Sequence, residues 1–487
     1  MMSHWPRADV GIGKLMRIAI IGGGISGLSA AYYLERQRQA GAPVEYTLFE
    51  AADRLGGVMS SERIGDCVVE GGPDSFLSEK PWASQLCAEL GIAGDLIGSN
   101  DEQRVTYILV KGRLVPMPDG LMFMVPTKLI PTALTPLFSW STKLRMAAEL
   151  LHPPRPVHRD ETVAQMVERH FGAEVVDRLA DPLLSGVYGG DAASLSVRAV
   201  LPRFVEMEES YGSLCRAMLA ARTKVAEMQK AKGYKPKPLF CSLKGGMQQM
   251  IDAVVAQLDA RRLRTGTAIS QLTRKQNGWE LITPAGAEHF DAVIFATPAR
   301  IASRMLLETD AQLADDLGRV EYSSSVTVTM GYKREDLRHC PPGFGFLVPR
   351  SEGTRMLATT FVHTKFPFRA PEDKALVRCF LGGAKDQGVL KFGDEEILGI
   401  VRRELRQIVG IKAEPWFARV FRWDRAMAQY TPGHLERIER IGETLKQIPT
   451  LSIAGNFYKG IGVPDCVRTG KEAAEHMAAL AREQVKA

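Results

Sequence analysis

Residues 16–50 constrain this chain more than any other stretch. An apolar run, Ile18-Ala19-Ile20-Ile21, has the character of a strand buried on both faces. It runs into Gly22-Gly23-Gly24-Ile25-Ser26-Gly27, after which Leu28, Ala31, Tyr32 and Leu34 recur at helical spacing. A second strand-like run, Val44 to Phe49, ends on Glu50. Strand, glycine turn, helix, strand and acid in this order make a βαβ unit with GxGxxG in its first turn. Gly22 permits the tight turn, Gly24 lets the backbone approach a pyrophosphate, and Gly27 lets helix and strand pack closely. The free N–H groups of the helix that Ile25 and Ser26 open would face the phosphates. Glu50 stands where a carboxylate accepts hydrogen bonds from a ribose 2′-OH. The stretch predicts an α/β domain with a dinucleotide site on residues 22–27 and Glu50.

Composition matters here for what it excludes. A chain of 487 residues holds two or three domains, and a formal charge of +6 without an aromatic-studded basic stripe gives no nucleic-acid binder. Seven dispersed cysteines with no CxxC pair read as reduced, structural thiols of a cytosolic protein. No HExxH and no Cys/His cluster at ligand spacing occurs, so no metal is expected. Residues 1–15 contain no apolar signal-peptide core and read as a disordered extension. No charge-free apolar run is long enough to span a membrane.

Glu50 is followed by Ala51-Ala52-Asp53-Arg54-Leu55-Gly56-Gly57-Val58. A basic residue and a glycine doublet after the ribose acid resemble the second fingerprint of flavoproteins similar to glutathione reductase and the amine oxidases. Arg54 can neutralise phosphate charge, and Gly56 and Gly57 keep the chain close to the cofactor; an ordinary Gly-Gly turn is the plainer alternative. Glu70-Gly71-Gly72-Pro73-Asp74-Ser75-Phe76, Gly186-Val187-Tyr188-Gly189-Gly190-Asp191 and Gly460-Ile461-Gly462-Val463-Pro464-Asp465-Cys466 narrow the resemblance. Together they resemble the bacterial protoporphyrinogen/coproporphyrinogen oxidases of haem synthesis. The resemblance implies non-covalent FAD touching Ala51, Arg54, Gly57, Val58, Gly72, Pro73, Asp74, Ser75, Ile269, Trp423, Ile461, Gly462 and Val463. A helix opening at Pro464 would point its N-terminus at the flavin pyrimidine and stabilise the charge of the reduced ring.

The same resemblance implies a discontinuous FAD domain of the glutathione-reductase/amine-oxidase type (16–78, 239–300 and 415–487). A substrate-binding antiparallel sheet (79–114 and 301–414) and a helical domain (115–238) complete the fold. Phe344, Leu347 and Phe380 would clamp a flat macrocycle, and Arg104, or more weakly Lys80, would meet a substrate carboxylate. Each also reads as plain sheet core or solvated charge. Residues 118–151 are densely apolar but broken by Pro126, Pro131 and Pro136; they read as a core of short helices, with peripheral membrane contact as the alternative. The basic run at 222–238 reads as a solvated loop, or as a patch steering a multi-carboxylate substrate.

The implied activity is oxidation of coproporphyrinogen III to coproporphyrin III. Hydride passes to flavin N5 and O2 accepts the electrons; no general base is assigned. Protoporphyrinogen IX is the alternative substrate. The implied setting is cytoplasmic, as a monomer or homodimer, with handover of product to ferrochelatase. A flavin amine oxidase, a carotenoid desaturase, or a non-enzymatic carrier similar to the Rab GDP-dissociation inhibitors keep the fold and change the role. Cys466 is the one cysteine near the flavin motif to which a covalent flavin could attach.

Overall fold

Met16–Ile21 is the central strand of a five-stranded parallel sheet in the computed structural model, which describes residues 15–122, 124–155, 159–232 and 237–486. The strand order is Leu263–Arg264, Val44–Phe49, Met16–Ile21, Ala292–Phe295 and Leu451–Ile453. Ile18 lies between Tyr46 and Ala292, and Val293 pairs Leu451. Three distant pieces of chain therefore share one sheet; helices Ile25–Gln39 and Val463–Lys486 cover one face and the antiparallel strands Gln271–Lys275, Gly278–Thr283 and Gly286–Phe290 pack on the other, so its middle strands are largely buried. Helix Ile25–Gln39 packs along helix Val463–Lys486 so closely that a Cβ on Gly470 would stand 2.3 Å from Ser26 O.

A seven-stranded sheet lies beside this unit. Its order is Phe417–Gln429, Glu321–Lys333, Lys374–Gly382, Met356–Phe361, Gly345–Leu347, Thr106–Val110 and Arg113–Pro116. Val326, Val328, Met330, Val377, Cys379 and Leu381 pack against Ile397, Val401 and Leu405 of helix Asp394–Val409. The last two strands form the hairpin expected around Lys111-Gly112, both of which take positive φ (49° and 72°) as a tight hairpin turn requires. The sheet takes in Phe417–Gln429, which the sequence groups with the cofactor pieces. This strand pairs antiparallel with Glu321–Lys333 along most of its length.

The third unit is helical, from Leu129–Leu134 to Leu214–Lys232. Its pin is fully buried His170, whose Nδ1 lies 2.9 Å from Glu149 Oε1 and Nε2 3.2 Å from Glu208 Oε1. Glu149 also accepts from Ser213 Oγ (2.7 Å) and Leu214 N (2.6 Å), capping the last helix. Burial alone would lower the His170 pKa, but the two carboxylates reverse this and raise it. Most of the basic run at 222–238, read above as a loop, continues this helix to Lys232, because Ala220, Ala221, Ala226 and Ala231 favour helix. Residues 1–14, the expected extension, and 233–236 lie outside the described residues. Leu137 and Phe138 enter the core as expected, but Ile130, Leu134, Trp140, Leu144 and Leu151 are 70–83% exposed. Among the described residues no helix is long and apolar enough to cross a membrane.

Candidate cofactor and substrate site

The glycine turn leaves room on one side and none on the other. A Cβ on Gly24 would meet nothing within 4 Å, whereas one on Gly27 would stand 1.9 Å from Gly22 O and one on Gly22 2.6 Å from Ala296 O. The turn is thus locked from behind and open where a pyrophosphate would lie. Glu50 stands at the strand end, its Oε2 accepting from Gly23 N (2.6 Å) and its Oε1 from Ala52 N (2.8 Å). Thr267 N donates to Glu50 O (2.8 Å), which lays Thr267-Ala268-Ile269 beside the acid. Exposed Ala51 and Val58 line the outer lip. Gly56 N donates to Gly23 O (2.8 Å), and Gly57 faces Gly24. Arg54 directs its guanidinium at the carbonyls of its own loop, Leu55 and Met59 (both 3.2 Å) and Gly57, holding the doublet in place.

The loop at residues 71–75 joins the two sheets. A Cβ on Gly72 would stand 1.8 Å from Val58 O, so only glycine fits there. Gly71 O accepts three hydrogen bonds, from Trp423 Nε1 (2.9 Å), Thr327 Oγ1 (3.0 Å) and Arg378 Nη2 (3.2 Å), and the same Nη2 reaches Gly72 O at 2.5 Å. These donors come from three adjacent strands of the seven-stranded sheet, which is thereby fixed over this loop. After Pro73, Asp74 takes Lys365 Nζ (3.0 Å) and Ser75 Oγ (2.6 Å). Burial would raise the Asp74 pKa, but Lys365 and Arg378 outweigh it and hold the carboxyl below the usual range. Beneath it the buried pair Glu70–Arg369 (2.7 Å) also anchors Ser242 Oγ to Arg369 (2.6 Å). Burial pushes the Glu70 carboxyl up against the pull of Arg369. Thr327, Arg378, Lys365 and Arg369 were not singled out from the sequence.

On the far side, residues 461–463 lead into the helix that packs on Ile25–Gln39, and Val463 shares a core with Ile25 and Leu28. The opening of this helix therefore stands near the glycine turn. Lys80, a candidate for substrate carboxylate, is paired with Asp465 Oδ2 at 2.6 Å. Cys466 is buried against Ser26, and burial pushes its thiol up to about 11, which makes it a poor nucleophile.

The sheet face turned to the cofactor loop carries a cross-strand row. Leu347 pairs Ala358, Ala358 pairs Phe380, Phe380 pairs Thr327, and Thr327 pairs Phe421. Two of the expected macrocycle contacts, Leu347 and Phe380, thus share one row that ends on Phe421. Phe344 lies outside it, buried one residue before its strand, with its N–H on Val105 O (2.8 Å). Arg104 is exposed and makes no ion pair among the described residues. The helix Asp181–Tyr188 roofs the row, since a Cβ on Gly186 would lie 3.6 Å from Leu347 Cδ2. It is fastened to the sheet by Gln429 Nε2 on Tyr188 O (2.9 Å) and by Lys385, shared between Asp181 (3.1 Å) and Asp191 (2.7 Å). Burial and the nearby Asp465 carboxylate push the Tyr188 hydroxyl up to about 12.

Comparison with known proteins agrees with this geometry. The family model described as flavin containing amine oxidoreductase matches residues 25–478. A coproporphyrinogen III oxidase of Bacillus subtilis is 34% identical over 94% of this chain and 96% of its own length. One of Staphylococcus aureus is 32% identical over 95% and 99%. A crystal structure from Exiguobacterium, described provisionally as a protoporphyrinogen oxidase, is 31% identical with a TM-score of 0.85, covering 96% of this chain and 99% of that one. With its open glycine turn, paired sheets and flavin-type loops, the chain belongs to the flavin-containing amine oxidoreductase family.

Proposed function

We propose that the chain oxidises coproporphyrinogen III to coproporphyrin III, with FAD held non-covalently and O2 as the final acceptor. The observation that carries this reading is the apolar row from Leu347 to Phe421. Its four apolar residues flank Thr327, whose hydroxyl donates to Gly71 O and so ties the row to the loop on which the cofactor would rest. Such a surface suits the apolar core of a macrocycle, and the names of the full-length relatives supply its chemical class. When bound, the flavin supplies the two-electron acceptor for hydride leaving the macrocycle.

The chain's own part is to bind, orient and exclude water. Residues 22–27, Glu50 and the loops ending at Val58 and Ser75 would hold the dinucleotide. The row would hold the macrocycle on this face of the sheet, beside the helix Asp181–Tyr188, which meets the row at Leu347. Arg104, free of any ion pair among the described residues, is the better placed cation for a propionate, since Lys80 is engaged by Asp465. The buried, weakly acidic Cys466 thiol argues for a flavin that acid releases into the supernatant.

The exposed Ile130 and Leu134, and Trp140 and Leu144, are each spaced four apart on a helix, and Lys143 lies over the Trp140 ring (4.5 Å). This pattern supports peripheral contact with a lipid surface. Product handover to ferrochelatase and a monomeric or homodimeric state belong to the same reading. The test is side-by-side turnover of coproporphyrinogen III and protoporphyrinogen IX by the yellow holoenzyme, followed by porphyrin fluorescence and O2 uptake. Faster oxidation of the four-propionate substrate is expected. A strong preference for protoporphyrinogen IX, the substrate that the Exiguobacterium description favours, would overturn the choice.

A further inference from the structure

We infer that Tyr430 is a positioning residue for the flavin, its hydroxyl fixing the turn that delivers residues 461–463 to the ring. The inference rests on the flavin reading above. The turn at 456–460 links the strand Leu451–Ile453 to the helix Val463–Lys486. Tyr430 Oη donates to Asn456 O (2.6 Å) and accepts from Gly460 N (2.9 Å), so one oxygen closes both ends of the turn. Gly460 takes φ +128°, and a Cβ there would stand 2.4 Å from Asp465 Cγ; the turn is therefore folded tightly onto the first turn of the helix. A small movement at Gly460 passes directly to the N–H groups that open it.

Tyr430 itself has little freedom. It is 5% exposed, its ring stacks on His434 with centroids 3.9 Å apart and planes 12° from parallel, and its carbonyl accepts from Ser196 N (2.7 Å) in the helical unit. It follows directly on Phe417–Gln429, the strand whose Trp423 holds Gly71 O and whose Ala426 O accepts from Asn456 Nδ2 (3.0 Å). One strand thus grips both walls of the cofactor cradle, the 71–75 loop through Trp423 and the 461–463 segment through Tyr430. Donors that stabilise charge on a ring act over about 2.7–3.1 Å and lose effect steeply beyond that, so the spacing of the walls bears on how well the reduced flavin is stabilised.

The test compares full-length wild type with Tyr430→Phe, which keeps the ring and its stack and removes one oxygen. The readouts are the FAD dissociation constant, from quenching of flavin fluorescence, and the midpoint potential, from dye-coupled reductive titration. Leaving Asn456 O and Gly460 N without their partner is expected to weaken FAD binding about tenfold. The potential is expected to move to a more negative value. Normal potential and affinity in a folded Tyr430→Phe protein would overturn the inference and leave the flavin reading intact. A wild type that binds no FAD would overturn both. Should Tyr430→Phe fail to fold, His434→Gln, which keeps the hydroxyl and loosens only the ring behind it, must shift the potential in the same direction. An unchanged potential in that variant would equally overturn the inference.

Discussion

Replacing Arg378 by Met tests how the seven-stranded sheet is locked to the 71–75 loop. The side chain is 3% exposed, donates to Gly71 O and Gly72 O, and stands beside Asp74. Hydrogen bonds from a charged donor contribute about 1.5–3 kcal/mol each, and Met, which fits the same stem, removes the cost of burying a guanidinium. What remains unfavourable is Asp74, left with Lys365 and Ser75, and two carbonyls that each lose a charged donor. The two lost bonds together are expected to cost about 3 kcal/mol, a large share of a usual stability of about 5–15 kcal/mol. Urea midpoints should fall accordingly, and FAD should be lost at lower urea than in wild type. In a cycle with Asp74→Asn the two changes should couple by about 1–3 kcal/mol. The pH limb has a definite sign. A carboxyl whose folded pKa is depressed stabilises the protein above its unfolded pKa and loses that contribution as pH falls towards the folded value. Both proteins should therefore begin to lose this contribution as pH falls through about 4, the wild type losing more of it and continuing to lower pH, because Arg378→Met has the less depressed folded pKa and levels off sooner. A cost under about 1 kcal/mol, additive behaviour, or an unmoved acid limb would refute the reasoning.

Gly72→Ala should yield folded but colourless protein, because its Cβ would stand 1.8 Å from Val58 O and must push the cofactor loops apart; retained yellow colour after desalting would contradict this. His170→Gln should destabilise the helical unit by about 3–5 kcal/mol, read by differential scanning calorimetry. Raised in the folded state, His170 contributes fully below about pH 6.5 and loses that contribution as pH rises through its folded pKa. Glu149 and Glu208, against burial, are held down at about 2 mainly by hydrogen bonds from His170 and other donors, and contribute above about pH 4.5. The variant should lose the alkaline decline of the wild type, which a pH series of melting temperatures would show. Leu134→Asp with Trp140→Asp should abolish flotation with anionic vesicles while leaving turnover of soluble substrate unchanged. Leu347→Arg should raise KM far more than it lowers flavin content, measured by steady-state fluorescence and the visible spectrum.

The parts of the site carried by local chemistry were legible in the sequence. The turn at 22–27, Glu50, the Gly56-Gly57 doublet and the 71–75 loop each need glycine or an acid for reasons contained within a few residues. The parts set by distant partners were not. Arg378 is buried only because its face of the strand meets a loop about 300 positions away, which nothing local to Val377-Arg378-Cys379 announces. Arg369 is fully buried only because Glu70 and Ser242 come from other segments. The basic run at 222–238 reads as a loop because charge dominates composition, whereas the alanines between the lysines set the backbone. Ile130, Leu134 and Trp140 read as core because apolar residues usually find cover within their own domain; here the described residues leave them uncovered.

The parallel sheet drawn from separated pieces has a consequence for biosynthesis. About 430 residues lie between the innermost strand, Met16–Ile21, and the edge strand Leu451–Ile453, which at ordinary elongation rates is roughly 20–90 s of translation. Throughout that interval the nascent chain lacks the edge strand that pairs with Ala292–Phe295 and the helix Val463–Lys486 that packs on Ile25–Gln39, the helix that the glycine turn opens. Loading of the prosthetic group must therefore be a late event, and a ribosome stalled anywhere upstream releases an uncoloured fragment with a bare β-edge for chaperones or proteases to find.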